Sequence, residues 1–481
     1  MNDETCYSAM QSRDARFDGA FFVGVTSTKI YCRPICKVRI PKFENCRFFT
    51  HAAVAEGLGF RACLRCRPSL APTSSVMRWT NEDASKTLAQ QSLHLIDRSN
   101  GELSVVQVAA KMGISDRHMR RIFSTQWGLT PIAYSKAMQA CKPHGDWPAK
   151  DVLLPLQLHL PLHLPYDHAH ILKFFATRAI EGVEHIDEKN RLWRTIRLGT
   201  GRKNHIGWIR ADFDAIGLQA KQDKASTSTD SAATLPITVS SSLVPVLAQL
   251  VPMLRAAFDL DAQPNAIDAL LLPDFPNTQG QRVPGCFDGF ELTVRAILGK
   301  QITVQAARTL ASRLVTQFGE PLPSFPRRRE SKTDQEIPVN RLFPSAAVLV
   351  RASASDLGEL GIVRQRQTAI LGLAEALQNG LDLSSKLRTI SELQATRNKL
   401  RAIKGIGEWT VAYVSMRALR DPDSFPAGDV ALQNALGTRQ TSVTTSAKDA
   451  EAQSAKWQPW RSYAVLRAWQ RLEKSNAKES T

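Results

Sequence analysis

Four cysteines stand in two close pairs, Cys32-Arg-Pro-Ile-Cys36 and, 26 residues further on, Cys63-Leu-Arg-Cys66. Spacers of three and two residues let one tight turn present two sulfurs to one ion, and Zn2+ takes four thiolates as a tetrahedron. Pro34 and Pro68 punctuate the pairs as such turns require. A zinc-held thiol stays deprotonated and therefore nucleophilic. Between Lys29 and Arg67, nine Lys and Arg residues stand against only Glu44 and Glu56. Cations at that density offset the charge of a zinc thiolate centre and attract phosphate. The bland alternative is four unrelated buried cysteines. Cys6, Cys46, Cys141 and Cys286 have no partner at ligand spacing and read as small core residues.

A second constellation lies near the C-terminus. Lys404-Gly405-Ile406-Gly407 precedes the amphipathic run beginning Glu408-Trp409-Thr410. Gly-hydrophobic-Gly before a helix makes a hairpin whose backbone N–H groups face outward at a helix N-terminus, an anion site suited to a DNA phosphate. Alone this signal is weak. Asp429 follows Gly407 by 22 residues, at the loop-to-helix entry Phe425-Pro426-Ala427-Gly428-Asp429. Two roles are open to it: a helix N-cap, or a carboxylate that does chemistry.

A third lies between them. The run Val105–Ser115 reads as an apolar helix, a turn at Gly113 and, at Ser115, the N-cap of a helix from Asp116 to Ser124. That helix carries Arg117, His118, Arg120 and Arg121, which can meet phosphates or base edges. An ordinary basic helical hairpin is the plainer reading. Gly128-Leu129-Thr130-Pro131 ends the unit, and Cys141-Lys142-Pro143-His144-Gly145 is turn composition with no second recognition helix after it.

The chain that must position these groups has 481 residues, 43% of them hydrophobic, with 62 Lys and Arg against 45 Asp and Glu. The length implies two to four domains and the composition a globular protein. The net charge of +17 points to a polyanion partner, although solubility alone can explain it. No signal-peptide pattern opens the chain, so export is not expected. The uncharged stretch Leu235–Leu254 holds Pro236, Pro245 and Pro252, which a spanning helix would not tolerate well. A reducing, cytoplasmic and nucleoid-associated location is expected, where clustered cysteines serve as ligands or reactive thiols.

Residues 80–100 read as a helix, and the Pro-rich stretch 142–165 as a junction in which Leu156–Leu160 alternates like a strand. His159, His163, His168 and His170 suggest a metal, but solvent-facing histidines between inward leucines explain them. A helix is expected from Ile171 to Gly182, strands around Leu192–Arg197 and Ile206–Ile209, a flexible loop from Gln219 to Thr234, and a helix from near Leu243. The pattern is α+β with an antiparallel sheet. From Pro284 onward it is helical, with one amphipathic stretch from Phe287 to Phe318 and a solvated Arg-rich insertion at Phe325–Lys332.

Three resemblances sharpen this. Phe22–Thr28, Tyr31–Cys36 and Gly59–Pro68 resemble the amino-terminal zinc domain of Ada-type methylation-response proteins. The resemblance implies that Cys32 accepts a methyl group from a DNA methylphosphotriester and that Cys36, Cys63 and Cys66 complete the zinc site. Val105–Pro131 resembles the first half of an AraC-type DNA-binding domain, whose second half is missing here. One such unit offers a small interface. Residues 162–475 resemble the AlkA-type 3-methyladenine DNA glycosylases II of the helix-hairpin-helix superfamily. The motifs are Leu164–Asp167, Phe174–Ala179, Val283–Asp288, the hairpin with Asp429, and Trp457–Ala464.

That resemblance implies a monofunctional glycosylase that flips alkylated purines, of the 3-methyladenine and 7-methylguanine class, out of double-stranded DNA. It makes Asp429 the catalytic carboxylate and Trp409, Tyr413 and Trp469 the aromatic pocket. It makes Gln301 the wedge that fills the gap in the stack. Trp409 occupies the position where strand-cleaving relatives carry a Schiff-base lysine. The resemblances together imply a small zinc domain (1–75), a single helix-turn-helix (80–141) and a junction (142–161). A TBP-like antiparallel α/β domain (162–262) and an all-α helix-hairpin-helix domain (263–475) complete the expected order. Zn2+ is the cofactor, double-stranded DNA the partner, no membrane is involved, and a monomer is expected. The competing reading is a methylation-responsive transcription regulator with a vestigial glycosylase half. An O6-alkylguanine methyltransferase is excluded, because no Pro-Cys-His-Arg motif is present.

Overall fold

The computed structural model describes residues 1–68, 71, 81–140, 155–200, 203–216, 233–323, 337–386, 388–439 and 443–479. The sequence expectations for Gln219–Ala232, Phe325–Lys332 and Cys141–Gly145 lie outside the described residues.

The N-terminal helix Asp3–Ser12 is capped by Asn2, whose side chain accepts from the Thr5 N–H at 2.8 Å. It leads into a four-stranded sheet of β1 (Phe22–Val25), β2 (Ile30–Cys32), β3 (Cys46–Phe49) and β4 (Arg61–Ala62), in the order β3-β1-β2-β4. β2 and β4 run parallel, with Tyr31 opposite Ala62. A sheet this small cannot bury a core alone. Phe22, Tyr31 and Phe60 pack on one another. On the other side Cys6, Ala9, Met10, Phe17 and Phe21 share a core with Ile267, Leu271, Trp460 and Tyr463, more than 240 positions away.

The helical unit comprises Asn81–Arg98, Val105–Lys111, Asp116–Trp127 and Pro131–Ala140. Ser104 and Gln107 form a capping box on the second helix, and Ser115 caps the third by accepting from the His118 N–H. Gly128 ends the third helix in the left-handed region, at φ 71. The unit does not stop at Pro131 as the sequence suggests. Pro131 opens a further helix because proline lacks the N–H that a first turn leaves unpaired anyway.

The second sheet is antiparallel throughout: β5 (Leu156–Pro161), β9 (Thr234–Val239), β8 (Lys203–Asp212), β7 (Arg191–Thr200) and β6 (Glu184–Ile186), in that spatial order. The alternation at Leu156–Leu160 therefore marks an edge strand, not a connector. Leu158 and Leu160 are fully buried and His159 is exposed. They join the core of the helical unit, and the His159 N–H donates to the Gly128 carbonyl at 2.7 Å. The helix expected over Ile171–Gly182 spans only His168–Ala176, from the Asp167 cap. Gly182, at φ 78, then turns the chain into β6.

In the C-terminal part the stretch Phe287–Phe318 is two helices, Gly289–Gly299 and Val304–Phe318. Periodicity carries across the gap, but Gln301 sits at φ 59 and Thr303 caps the second helix. The helices Arg364–Gln378, Ile390–Arg401, Glu408–Arg417 and Val430–Leu436 come next, and Arg461–Glu479 closes the fold. No described helix is long and apolar enough to cross a membrane.

Candidate functional site

The helix Ile390–Arg401 ends in a hairpin whose tight point is Gly405, at φ 94. A Cβ there would meet the Ala369 Cβ at 2.9 Å, whereas nothing lies within 4 Å of one on Gly407. The backbone above Gly407 is thus open to a ligand. Gly407 is the N-cap of Glu408–Arg417, and Lys404 beside it is exposed. Gln301 is exposed too, and shares a crevice of about 90 Å³ with Gly405 and Thr410.

Trp409 and Tyr413 are one turn apart on that helix, and their rings stack 5.2 Å apart at 10°. Trp469, from the helix Arg461–Glu479, approaches Tyr413 at 6.3 Å. Asp429 faces them. Its Oδ2 accepts from the Trp409 indole N–H at 2.6 Å, and its Oδ1 from the Trp469 indole N–H at 3.2 Å. The Leu432 N–H donates to Oδ1 at 2.6 Å, so Asp429 is also the N-cap of Val430–Leu436. The two roles open to it in the sequence are compatible: the cap aims the carboxylate at the indoles.

All four side chains line a cavity of about 420 Å³. Its wall includes residues that the sequence did not single out for a site. Arg417 is buried; its Nε and Nη2 donate to the carbonyls of Pro284 and Gly285 at 2.7 and 2.8 Å, and Nη1 donates to the Tyr413 hydroxyl at 2.6 Å. Two guanidiniums lie over the Phe174 ring, Arg178 at 3.9 Å and Arg417 at 4.6 Å from its centre. Deeper, Arg194 pairs with Glu184 and Glu291, and Arg295 pairs with the same two carboxylates. Burial raises the Glu291 carboxyl, but Arg194 and Arg295 outweigh it and hold the group below its ordinary range. Arg417 was within reach of sequence reasoning, since Trp409, Tyr413 and Arg417 recur at four-residue spacing on one helix face. The Arg194 network was not, because it joins residues about a hundred positions apart. Cys286, read as core, packs against the core and also lines the cavity, and burial pushes its thiol up to about 12.

The second site is the cysteine cluster. β2 delivers Cys32, and Cys63 comes directly after the parallel strand β4, its N–H bonded to the Tyr31 carbonyl at 3.0 Å. The Arg33–Cys36 turn and the Cys63–Arg67 turn supply Cys36 and Cys66. All four are buried, with sulfurs within 4.8 Å of one another. A tetrahedron with Zn–S of about 2.3 Å has sulfurs about 3.8 Å apart, so the cluster fits Zn2+. Among the described residues this is the one His, Cys, Asp or Glu group gathered closely enough to hold a metal. Hydrogen bonds from Cys32 and then Cys66 pull the Cys36 thiol down, while those with Cys36 and Cys66 push Cys32 up. Negative charge on several neighbouring sulfurs at once is opposed by their mutual repulsion unless a cation joins them. The Arg33 N–H donates to Cys66 Sγ at 3.4 Å, and its buried guanidinium pairs with Asp18.

On the helix Asp116–Trp127, Arg117 and Arg121 are exposed. Arg121 Nη2 lies 3.0 Å from His118 Nδ1, and Arg120 is held by Asp116 at 2.8 Å. Their side chains are far along the chain from the cavity, and none of them lines it.

A zinc thiolate module joined to a helix-hairpin-helix fold with an aromatic, carboxylate-bearing cavity defines a base-excision DNA repair protein with a metal-binding Ada module. Family models agree: the metal binding domain of Ada matches residues 5–69, the AlkA N-terminal domain 157–288, and the HhH-GPD superfamily of base excision DNA repair proteins 294–461. A probable bifunctional transcriptional activator/DNA repair enzyme AlkA of Mycobacterium tuberculosis is 30% identical over 522 residues, covering 98% of this chain and 96% of that one. DNA-3-methyladenine glycosylase 2 of Escherichia coli is 28% identical over 63% of this chain and 94% of its own. The bifunctional transcriptional activator/DNA repair enzyme Ada of Escherichia coli is 29% identical over 29% of this chain and 37% of its own. The chain belongs to the family of bifunctional Ada–AlkA DNA repair proteins.

Proposed function

We propose that the protein releases alkylated purines, of the 3-methyladenine and 7-methylguanine class, from double-stranded DNA, and that Cys32 separately accepts methyl groups from DNA methylphosphotriesters. The observation that supports the first activity most is a carboxylate bound by two indoles on the wall of an aromatic cavity. At about 420 Å³ the cavity is within the size range of small-molecule sites, roughly 300–1,000 Å³.

The hairpin at Gly405 and Gly407, with Lys404, holds a DNA phosphate, and Gln301 enters the gap that the flipped nucleotide leaves. The base stacks among Trp409, Tyr413 and Trp469. An N3- or N7-alkylated purine is cationic and favours such electron-rich faces. The C1′–N bond breaks with its electron pair passing to the base nitrogen, which cancels the positive charge on the base. The Asp429 carboxylate stabilises the oxocarbenium-like sugar, and a water adds to C1′ while its proton passes to Asp429. Because no lysine stands at position 409, the protein does not cleave the strand through a Schiff base.

At the cysteine cluster, Cys32, Cys36, Cys63 and Cys66 would hold Zn2+, which would keep the Cys32 thiol deprotonated at neutral pH. The Cys32 sulfur attacks the methyl carbon, an S–C bond forms, the C–O bond breaks, and the phosphodiester leaves with the electron pair. Cys36, Cys63 and Cys66 would keep the ion. The step removes one negative charge from the centre and strengthens its association with DNA. Arg117, Arg120 and Arg121 add contacts from the helix-turn-helix unit. The protein works as a monomer in the cytoplasm, on the nucleoid.

Base release from methylated duplex DNA by the wild type and by Asp429→Asn tests the first activity. Equal release by both would remove Asp429 from the mechanism. Transfer of labelled methyl from a methylphosphotriester duplex to Cys32→Ala tests the second; retained transfer would place the acceptor elsewhere.

A further inference from the structure

We infer that Arg16, in the part of the zinc module that precedes its sheet, is a positioning residue of the base-excision site. The inference rests on the roles proposed above for Asp429 and Trp469. Arg16 is far from both in sequence, yet it is buried in the C-terminal core. Its side chain is 8% exposed and meets three partners. Nη2 lies 2.5 Å from Asp14 Oδ2 and donates to the Tyr463 hydroxyl at 3.0 Å. Nη1 is 3.9 Å from Asp259 Oδ1. The neighbouring Phe17 ring packs edge-on against Trp460 at 6.5 Å.

Two routes run from this guanidinium to the cavity. Tyr463 and Trp469 are on one helix, six positions apart, and Trp469 donates to the Asp429 carboxylate. The Tyr463 hydroxyl in turn donates to Asp259 Oδ2 at 2.6 Å. Asp259 Oδ2 also accepts from the Val283 N–H at 3.3 Å. The next two residues are Pro284 and Gly285, whose carbonyls hold Arg417, and Arg417 holds the Tyr413 hydroxyl. Arg16 therefore braces both the helix that carries Trp469 and the segment that fixes Tyr413. Only a planar fork with five donors reaches an Asp on its own segment, a tyrosine hydroxyl and a second Asp at once. Removing it leaves Asp14 and Asp259, both buried, without their shared cation; Arg282 and Arg420 remain near Asp259. The excision site is thus incomplete without residues that the sequence assigns to the zinc domain.

The test uses the full chain, zinc-loaded, with enzyme in excess over a duplex containing one 7-methylguanine. Arg16→Met is expected to lower the single-turnover rate constant by about tenfold to a hundredfold, the cost of a misplacement of about 1 Å. Arg16→Lys, which keeps the charge but not the fork, is expected to fall between Met and the wild type. Zinc content is expected to stay at one per chain, and binding of a duplex with a stable abasic analogue to change by less than about threefold, since no DNA-facing group is altered. A lower reaction amplitude with an unchanged rate constant would mean only a loss of folded protein and would overturn the inference. Should the Met variant fail to fold, Arg16→Gln, which still offers a donor to Tyr463, is read by the same rate constant. Asp429→Asn run alongside separates the two claims. If it releases base as the wild type does, the site reading fails. If it abolishes release while the Arg16 variants keep the wild-type rate constant, only the Arg16 inference fails.

Discussion

Asp429→Asn changes one atom, and the hydrogen bonds around that atom set the consequences. Oδ1 accepts from the Leu432 and Trp469 N–H groups, and Oδ2 from the Trp409 N–H. An asparagine keeps its carbonyl oxygen at the first position, because Asn caps a helix as well as Asp does. Its NH2 then faces the Trp409 indole N–H across 2.6 Å, donor against donor. One partly buried N–H without an acceptor costs about 1–3 kcal/mol. For a domain of this size that lowers Tm by roughly 2–12 °C, from a slope of about 2–4 °C per kcal/mol. The loss in catalysis is larger. A carboxylate about 4 Å from a developing sugar cation contributes about 4 kcal/mol at an effective dielectric of 20. That is about a thousandfold in rate. The assay is release of labelled 7-methylguanine under single-turnover conditions, with thermal unfolding measured on the same sample. A rate loss under tenfold in a folded variant would refute the electrostatic role. An unchanged rate with a lowered Tm would leave Asp429 a structural role alone, as the acceptor for the Trp409 indole.

The same geometry sets other expectations. Gly407→Ala is expected to leave stability within about 0.5 kcal/mol, as nothing lies within 4 Å of the new methyl, while weakening duplex binding about tenfold by occupying the open backbone. Gly405→Ala, at φ 94 and against Ala369, is expected instead to lower the urea midpoint by about 1–3 kcal/mol in equivalent free energy. Zinc chelation is expected to abolish methyl transfer and to raise hydrogen exchange in β2 and β4, which end at the cluster, while Cys32→Ala abolishes transfer without affecting base release. Burial raises the Asp261 carboxyl, but Arg255 and Arg420 outweigh it and bring it down to about 2. Its contribution is therefore present above the unfolded value of about 4 and lost as pH falls toward 2. Asp261→Asn should flatten stability against pH in that window. The loss at pH 7 should stay below about 1 kcal/mol, because the side chain is 46% exposed.

Chemistry that depends on short spacing was legible in the chain alone. The paired cysteines, the Gly405–Gly407 hairpin before a helix and the stepped Trp409 and Tyr413 are local patterns, fixed by turn and helix geometry. Asp429 was legible as a helix entry for the same reason, and the cap sets the direction of its carboxylate toward the two indoles. Local patterns misled where tertiary packing overrides them. Phe287–Phe318 keeps its helical period across a break at Gln301, and the helix from His168 stops at Ala176. Which distant groups line the cavity or brace its walls is settled by packing alone. Arg194 meets Glu291, Arg417 meets the carbonyls of Pro284 and Gly285, and Arg16 meets Tyr463 across 447 positions. No periodicity encodes such contacts, since they arise when separately folded surfaces bury their apolar faces on one another and leave buried charges to find partners.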